Sequence, residues 1–205
     1  MRELVIPDLS GEDPEDAKQR LRSVVRSHRK QRSKNACDEL ARKALEQVMQ
    51  FVAGSSRVGC FVSVNAEPPT LDLCSAIADS GKELLLPKLG PHLTRSWGFF
   101  RGVDDLAQMA PGRPPEPTGP AFDNDILATV DALVIPALLV DRRGERLGQG
   151  GGWYDRALKA VAPGTKVAAL VYPDEFVSGP LPQDEMDVPI PYVVTAEGIF
   201  ATAGA

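Results

Sequence analysis

Apolar positions along this chain alternate between helical and extended spacing. From Asp16 onward, Leu21, Val24 and Val25 fall on one side of a helix, while Lys18, Arg22, Arg26 and Lys30 recur every fourth residue on another. A second helix is predicted over residues 37–52, with Leu40, Ala44, Leu45, Val48 and Met49 inward and Gly54-Ser-Ser as its stop. Residues 57–64 read as a strand, rich in β-branched and apolar side chains. Thr70 caps a helix that runs through Ala78 and closes at Gly81. Residues 83–88 are almost all apolar, which predicts a strand buried on both faces, and 97–101 a short edge strand whose Trp97, Phe99 and Phe100 belong to the core. Pro111, Pro114, Pro115, Pro117 and Pro120 force an extended loop. Beyond it come a strand at 131–140, a helix at 153–161, a strand at 166–172, an extended stretch at 188–191 and a last short strand at 192–195. Strands alternating with helices imply an α/β protein, a mostly parallel sheet flanked by helices on both faces. The polar residues 1–17 are expected to be a loose tail ahead of a single domain spanning 18–205.

Composition narrows the class. The chain is 43% hydrophobic and 25% charged, as in ordinary soluble proteins. No apolar stretch approaches the roughly 18 residues that span a bilayer. The N-terminal apolar run is too short for a secretory signal, so a cytosolic location is expected, with no membrane partner. Cys37, Cys60 and Cys74 lack metal-ligand spacing and read as structural thiols. His28 and His92 are too few for a histidine-built metal centre.

The net charge of −5 argues against broad nucleic-acid binding but conceals a local reversal. Residues 1–17 carry Glu3, Asp8, Glu12, Asp13, Glu15 and Asp16 against Arg2. Residues 18–34 carry Lys18, Arg20, Arg22, Arg26, Arg29, Lys30, Arg32 and Lys34 with no acid. Such a run is ordinarily a solvated helix face; its density here also admits a role in binding phosphate.

The most specific signal is the stretch from Arg143 to Asp155, which holds Arg146, Gly148, Gly150, Gly151, Gly152, Trp153 and Tyr154 between an apolar strand and a helix. Strand, glycine loop and helix together direct main-chain N–H groups at an anion. Consecutive glycines reach backbone angles closed to other residues and admit an oxyanion close to the chain. The spacing fits neither G-x-G-x-x-G nor G-x-x-x-x-G-K-[ST]. A plain flexible connection is the alternative. Against it stand Arg146, a guanidinium suited to phosphate, and Asp155, a carboxylate suited to magnesium beside phosphates.

These residues, Asp141-x-x-Gly144-x-Arg146-Leu147-Gly148-Gln149-Gly150-Gly151-Gly152-Trp153-Tyr154-Asp155, resemble the signature of the 5-formyltetrahydrofolate cyclo-ligases, also called 5,10-methenyltetrahydrofolate synthetases, which usually show Tyr-Tyr-Asp where this chain has Trp-Tyr-Asp. Lys18-x-x-Leu21-Arg22 is similar to the family's N-terminal nucleotide-binding element, and Phe61 to Glu67 to its first strand with a substrate-binding glutamate. Pro87-Lys88 and Glu116-Pro117 also fall in family order, so the resemblance covers about residues 18–195.

The resemblance implies a three-layer α/β/α fold shared with sugar-phosphate isomerase and CoA-transferase relatives, and an ATP- and Mg²⁺-dependent ligase acting as a monomer on small molecules. Lys18, Arg22 and residues 146–154 are then expected to contact ATP, with Lys18 and Arg146 catalytic. Asp155 is expected to ligate Mg²⁺, and Val62, Glu67, Lys88 and Tyr154 to serve the folate. The family's later acidic magnesium ligand falls on Pro191, with Asp187 a nearby substitute. Trp153 and Tyr154 are equally suited to stacking on a ring or to packing the helix. The rival reading is a non-catalytic protein that binds nucleotide or RNA through residues 18–34 on the same scaffold.

Overall fold

The computed structural model describes residues 3–89, 94–109 and 111–204; Arg2 and His92 lie outside these. In chain order the elements begin with α1 (Pro14–Lys30), α2 (Lys34–Phe51), β1 (Arg57–Gly59), α3 (Leu71–Asp79), β2 (Glu83–Leu89), β3 (Arg95–Phe99), β4 (Leu106–Ala107) and β5 (Glu116–Pro117). They continue with β6 (Ala132–Pro136), β7 (Leu139–Asp141), β8 (Arg146–Leu147), α4 (Trp153–Leu158), β9 (Lys166–Leu170), β10 (Phe176–Val177), β11 (Tyr192–Thr195) and β12 (Gly198–Ala201).

Among the described residues, seven strands form the central sheet in the order β12-β11-β9-β6-β1-β2-β3. The five inner strands are parallel; β12 and β3 close the edges antiparallel. The apolar runs of β2 and β6 are buried on both faces, as parallel strands between helical layers require. One face packs on α2 and α3 through Val48, Phe51, Leu73 and Ile77. The other packs on α4 and the 3-10 turn Asn124–Thr129 through Leu127, Ala157 and Trp97. This is the expected three-layer arrangement. Gly59 permits it locally: a Cβ there would stand 2.5 Å from Leu133 Cδ1 on the neighbouring strand.

A second sheet, β10-β7-β8, sits beside the first and packs on α1 through Leu21, Val25, Leu139 and Leu147. It divides the strand expected at 131–140: β6 ends at Pro136, whose ring cannot donate to a ladder, and the chain resumes as β7 in a different sheet. The strand expected at 57–64 is also shorter. Only Arg57–Gly59 pairs; beyond it the chain leaves the ladder, the main-chain O of Phe61 accepting the Thr70 hydroxyl at 2.7 Å. The helix from Thr70, the edge strand and the last short strand are present; the hairpin partner β12 was not foreseen.

The N-terminal segment is not loose. Leu4 N–H donates to the Asp174 carbonyl at 2.7 Å, Glu3 accepts from Ser178 N at 2.9 Å, and Leu4, Ile6 and Leu9 pack on the cluster under α1. Helix α1 starts earlier than its apolar spacing indicates, because Asp13 caps the Glu15 N–H at 2.9 Å and Pro14 is preset for a first turn.

The basic run is a solvated face only in part: Arg20, Arg26, Lys30 and Lys34 are exposed, while Lys18, Arg22 and Arg29 are buried. Arg29 pairs with Glu175 at 2.7 Å, both fully buried, and also donates to the Ala137 carbonyl at 2.7 Å. Arg32 pairs with Asp174 at 2.5 Å, Arg22 with Glu15 at 2.7 Å, and Arg20 with Glu12. A carboxylate answers most of the cations, Arg26 meeting Gln149 instead, which leaves less unpaired positive charge along 18–34 for RNA to use.

Candidate active site

The order of the central sheet reverses at β1 and β6, which lie side by side while their chains continue in opposite directions across it. Ligands of open α/β sheets bind at the carboxyl ends of strands where this happens. Glu67 follows β1, and Pro136 and Ala137 end β6; all three line a cavity of about 380 Å³.

The hairpin β7-β8 brings the glycine turn to this cavity. Leu139 pairs with Leu147 and Val140 with Arg146. Its tip is held by the fully buried Asp141 carboxylate, which accepts from the N–H groups of Arg143 (2.8 Å), Glu145 (3.0 Å) and Leu181 (3.1 Å). Gly144 turns the chain at φ 92°, where a Cβ would lie 2.4 Å from the Ile190 carbonyl oxygen. Arg146 is thereby presented at the start of the turn.

The turn itself suits an anion. Gly150 and Gly152 have φ of 98° and 56°, and among the described residues the N–H groups of Gly150, Gly151 and Gly152 have no protein acceptor. A Cβ at Gly148 would stand 2.8 Å from Arg146 Nη1, and one at Gly150 3.3 Å from Arg22 Cζ, so the glycines let two guanidiniums lie against the main chain. Arg22 Nε donates to the Gly148 carbonyl at 3.1 Å. Arg146 Nη2 donates to Asp155 at 2.5 Å, while its buried Nε has no acceptor. The helix after the turn is shorter than expected, only Trp153–Leu158, so the turn's own N–H groups and arginines supply the positive potential rather than a long helix.

Lys18 enters from α1. Its ammonium lies 2.7 Å from Asp184 and 2.5 Å from Asp187. Burial works to lower its pKa, but the two carboxylates outweigh burial and hold it above the ordinary value. Lys18 in turn holds the Asp184 carboxyl low. Burial, then the Glu67 carboxylate, pushes the Tyr154 phenol well above its usual range. Trp153 stacks on Trp97 with centroids 5.3 Å apart and meets Tyr154 edge-on at 4.7 Å, so its ring is engaged in packing.

Of the residues read from the sequence, Lys18, Arg22, Glu67, Arg146 to Tyr154 and Asp155 line one cavity. Two do not. Val62 is buried in the core beside Phe61, and Lys88 donates to the Pro117 carbonyl and lies 3.7 Å from Glu116. Val62 lies past the paired residues of β1, whereas Lys88, expected just past a strand, lies inside β2. Several neighbours were missed. Arg95 and Arg156 donate to the Gly151 carbonyl at 3.0 and 2.9 Å, and Lys159 and Asp184 line the wall. Arg156 directly follows Asp155 and was open to inference; nothing local marks Arg95, which arrives from an edge strand.

Solved structures share this architecture. A 5,10-methenyltetrahydrofolate synthetase from Aquifex aeolicus superposes with a TM-score of 0.76 at 26% identity, covering 90% of this chain and 92% of that one. A synthetase of the same name from Mycoplasma pneumoniae shares the fold with a TM-score of 0.68 at 16% identity. Fold and relatives together define an α/β ligase of folate chemistry. Residues 14–196 match the 5-formyltetrahydrofolate cyclo-ligase family, and the chain belongs to that family. Proteins named 5-formyltetrahydrofolate cyclo-ligase from Mycolicibacterium smegmatis and Escherichia coli K12 are 33% and 28% identical to it, covering 90% and 86% of the chain and 97% and 99% of their own lengths.

Proposed function

We propose that the protein converts 5-formyltetrahydrofolate to 5,10-methenyltetrahydrofolate, with ATP cleaved to ADP and phosphate. The formyl amide is a poor electrophile, and its oxygen must become a leaving group before the ring can close. In this reading the formyl oxygen attacks the γ-phosphorus of ATP and ADP departs. The neighbouring folate amine then adds to the activated carbon, loses its proton, and phosphate leaves with the former formyl oxygen. Such a transfer calls for positioning and positive charge rather than a protein nucleophile.

The observation that carries the reading is the meeting of Lys18, Arg22, Arg146 and three glycine N–H groups with Glu67 in one cavity. The cations hold and offset the charge of the transferring phosphoryl group. Glu67 accepts from pterin N–H donors. Asp155 is the residue that would hold Mg²⁺. Mg²⁺ that is held through nucleotide phosphates needs only one or two protein carboxylates. When bound, that ion would offset negative charge on the phosphates. Asp187, placed on the same wall, is committed to Lys18 at 2.5 Å.

The test is direct. Protein mixed with 5-formyltetrahydrofolate, ATP and Mg²⁺ is expected to develop methenyl absorbance that a control without ATP lacks. Absence of that absorbance, with both compounds bound, would reject the reaction.

A further inference from the structure

We infer that Gln149, although part of the glycine turn, is a positioning residue for the folate site and couples the binding of the two substrates. This rests on the reading of Glu67 as the carboxylate that receives the pterin. The Gln149 amide is oriented on both sides. Arg26 Nη2 donates to its Oε1 at 2.8 Å, which turns the amide nitrogen toward Glu67, and that nitrogen donates to Glu67 Oε1 at 3.1 Å. Glu67 Oε2 accepts from the Val64 N–H at 2.9 Å, and the Tyr172 hydroxyl donates to the Glu67 main-chain carbonyl at 3.4 Å.

Each carboxylate oxygen therefore carries one protein donor and retains a lone pair. The pair of oxygens is presented as a fixed two-acceptor edge, matched to adjacent ring N–H and amino donors such as those of an aminopyrimidinone. Among the described residues Gln149 is the side chain that holds Oε1. Its backbone belongs to the turn assigned to phosphate. A nucleotide that orders the turn therefore also orders Glu67, and a pterin on Glu67 favours the turn conformation the nucleotide needs, since coupling between two sites is reciprocal.

Calorimetric titration tests this without relying on turnover. Affinity for 5-formyltetrahydrofolate is measured with and without adenylyl imidodiphosphate and Mg²⁺, in the wild type, Gln149→Met and Arg26→Met. Methionine keeps the length of glutamine and removes the donor. Arg26 does not line the cavity and donates to the glutamine, so its loss reaches Glu67 through that glutamine. Gln149→Met is expected to weaken folate binding about tenfold, the scale of one hydrogen bond to a charged group, and to abolish the gain brought by nucleotide. Measured without folate, affinity for the nucleotide analogue should fall less than that for folate, and Arg26→Met should reproduce the pattern at about threefold. Unchanged folate affinity in Gln149→Met would overturn the inference. So would nucleotide and folate affinities falling together, a wild type without coupling, or an Arg26→Met variant indistinguishable from wild type. A wild type that binds both ligands with coupling yet forms no methenyl product would retire the proposed reaction and leave this role standing. A wild type that binds no folate removes both.

Discussion

Arg146 donates from Nη2 to Asp155 Oδ1 at 2.5 Å, so the proposed phosphate clamp and the proposed magnesium ligand neutralise one another across the glycine turn. The pairing keeps a guanidinium with a side chain only 4% exposed from being an unanswered buried charge before ligands arrive.

Removing that guanidinium should be severe. Arg146→Ala is expected to lower turnover by more than about a hundredfold, since deleting one charge-stabilising donor from a phosphoryl or oxyanion site costs several kcal/mol. Steady-state formation of methenyl product measures it, with circular dichroism as the control for folding. Turnover near that of the wild type would reject the role.

Lys18→Ala is expected to weaken binding of an ATP analogue while leaving affinity for 5-formyltetrahydrofolate little changed, because Lys18 comes from α1 and contacts Asp184 and Asp187 rather than Glu67. An unaltered nucleotide affinity would count against the participation of α1.

The same lysine sets a pH window. The folded-state pKa of Asp184 lies below the ordinary 3.8, so its contact with Lys18 stabilises the fold above that value and fades as pH falls through the lowered one. The pKa of Lys18 lies above 10.5, so its share is complete below that value and is lost as pH climbs past the raised one. In Lys18→Met, an NMR titration of the Asp184 carboxyl should move up toward 3.8; no movement would show that other groups hold it low.

Arg29→Met should destabilise the fold by about 3–5 kcal/mol, because it strands the fully buried Glu175 without its cation. Chemical denaturation provides the measurement, and adding Glu175→Gln should recover part of the loss. A change under about 1 kcal/mol would mean that water replaces the pairing.

Gly144→Ala should cost about 3 kcal/mol, combining a positive φ with a Cβ placed 2.4 Å from a backbone oxygen that cannot swing aside. Because the strain falls at the hairpin tip that presents Arg146, turnover is expected to drop with stability. A variant as stable as the wild type would show that the tip yields easily.

Much of the architecture was legible because apolar runs such as Leu84-Leu85-Leu86 and Leu133-Val134-Ile135 can be buried on both faces only in a sheet covered by helices. The glycine turn was legible because few other roles require that residue series. What escaped depended on distant partners. Arg29 looks solvent-bound until Glu175, remote in sequence, comes beside it, and the N-terminal segment looks loose until Leu4 meets Asp174. Within 131–140, Pro136 marks where the ladder stops, but two equally apolar halves do not say that β7 joins a different sheet. Val62 and Lys88 illustrate a related limit at single positions: matching a family pattern or lying near a strand's end does not tell whether a side chain faces a cavity.

Helix α1 carries cavity-lining Lys18 and Arg22 near one end and, further along, Arg29, locked to Glu175 in the segment after β9. These parts are therefore exchangeable only as a set. A chimera that takes α1 from a relative with no cation at the place of Arg29, while retaining this chain's Glu175, would bring in the cavity-lining cations without their anchor, and recombination should then succeed only when both pieces travel from the same parent.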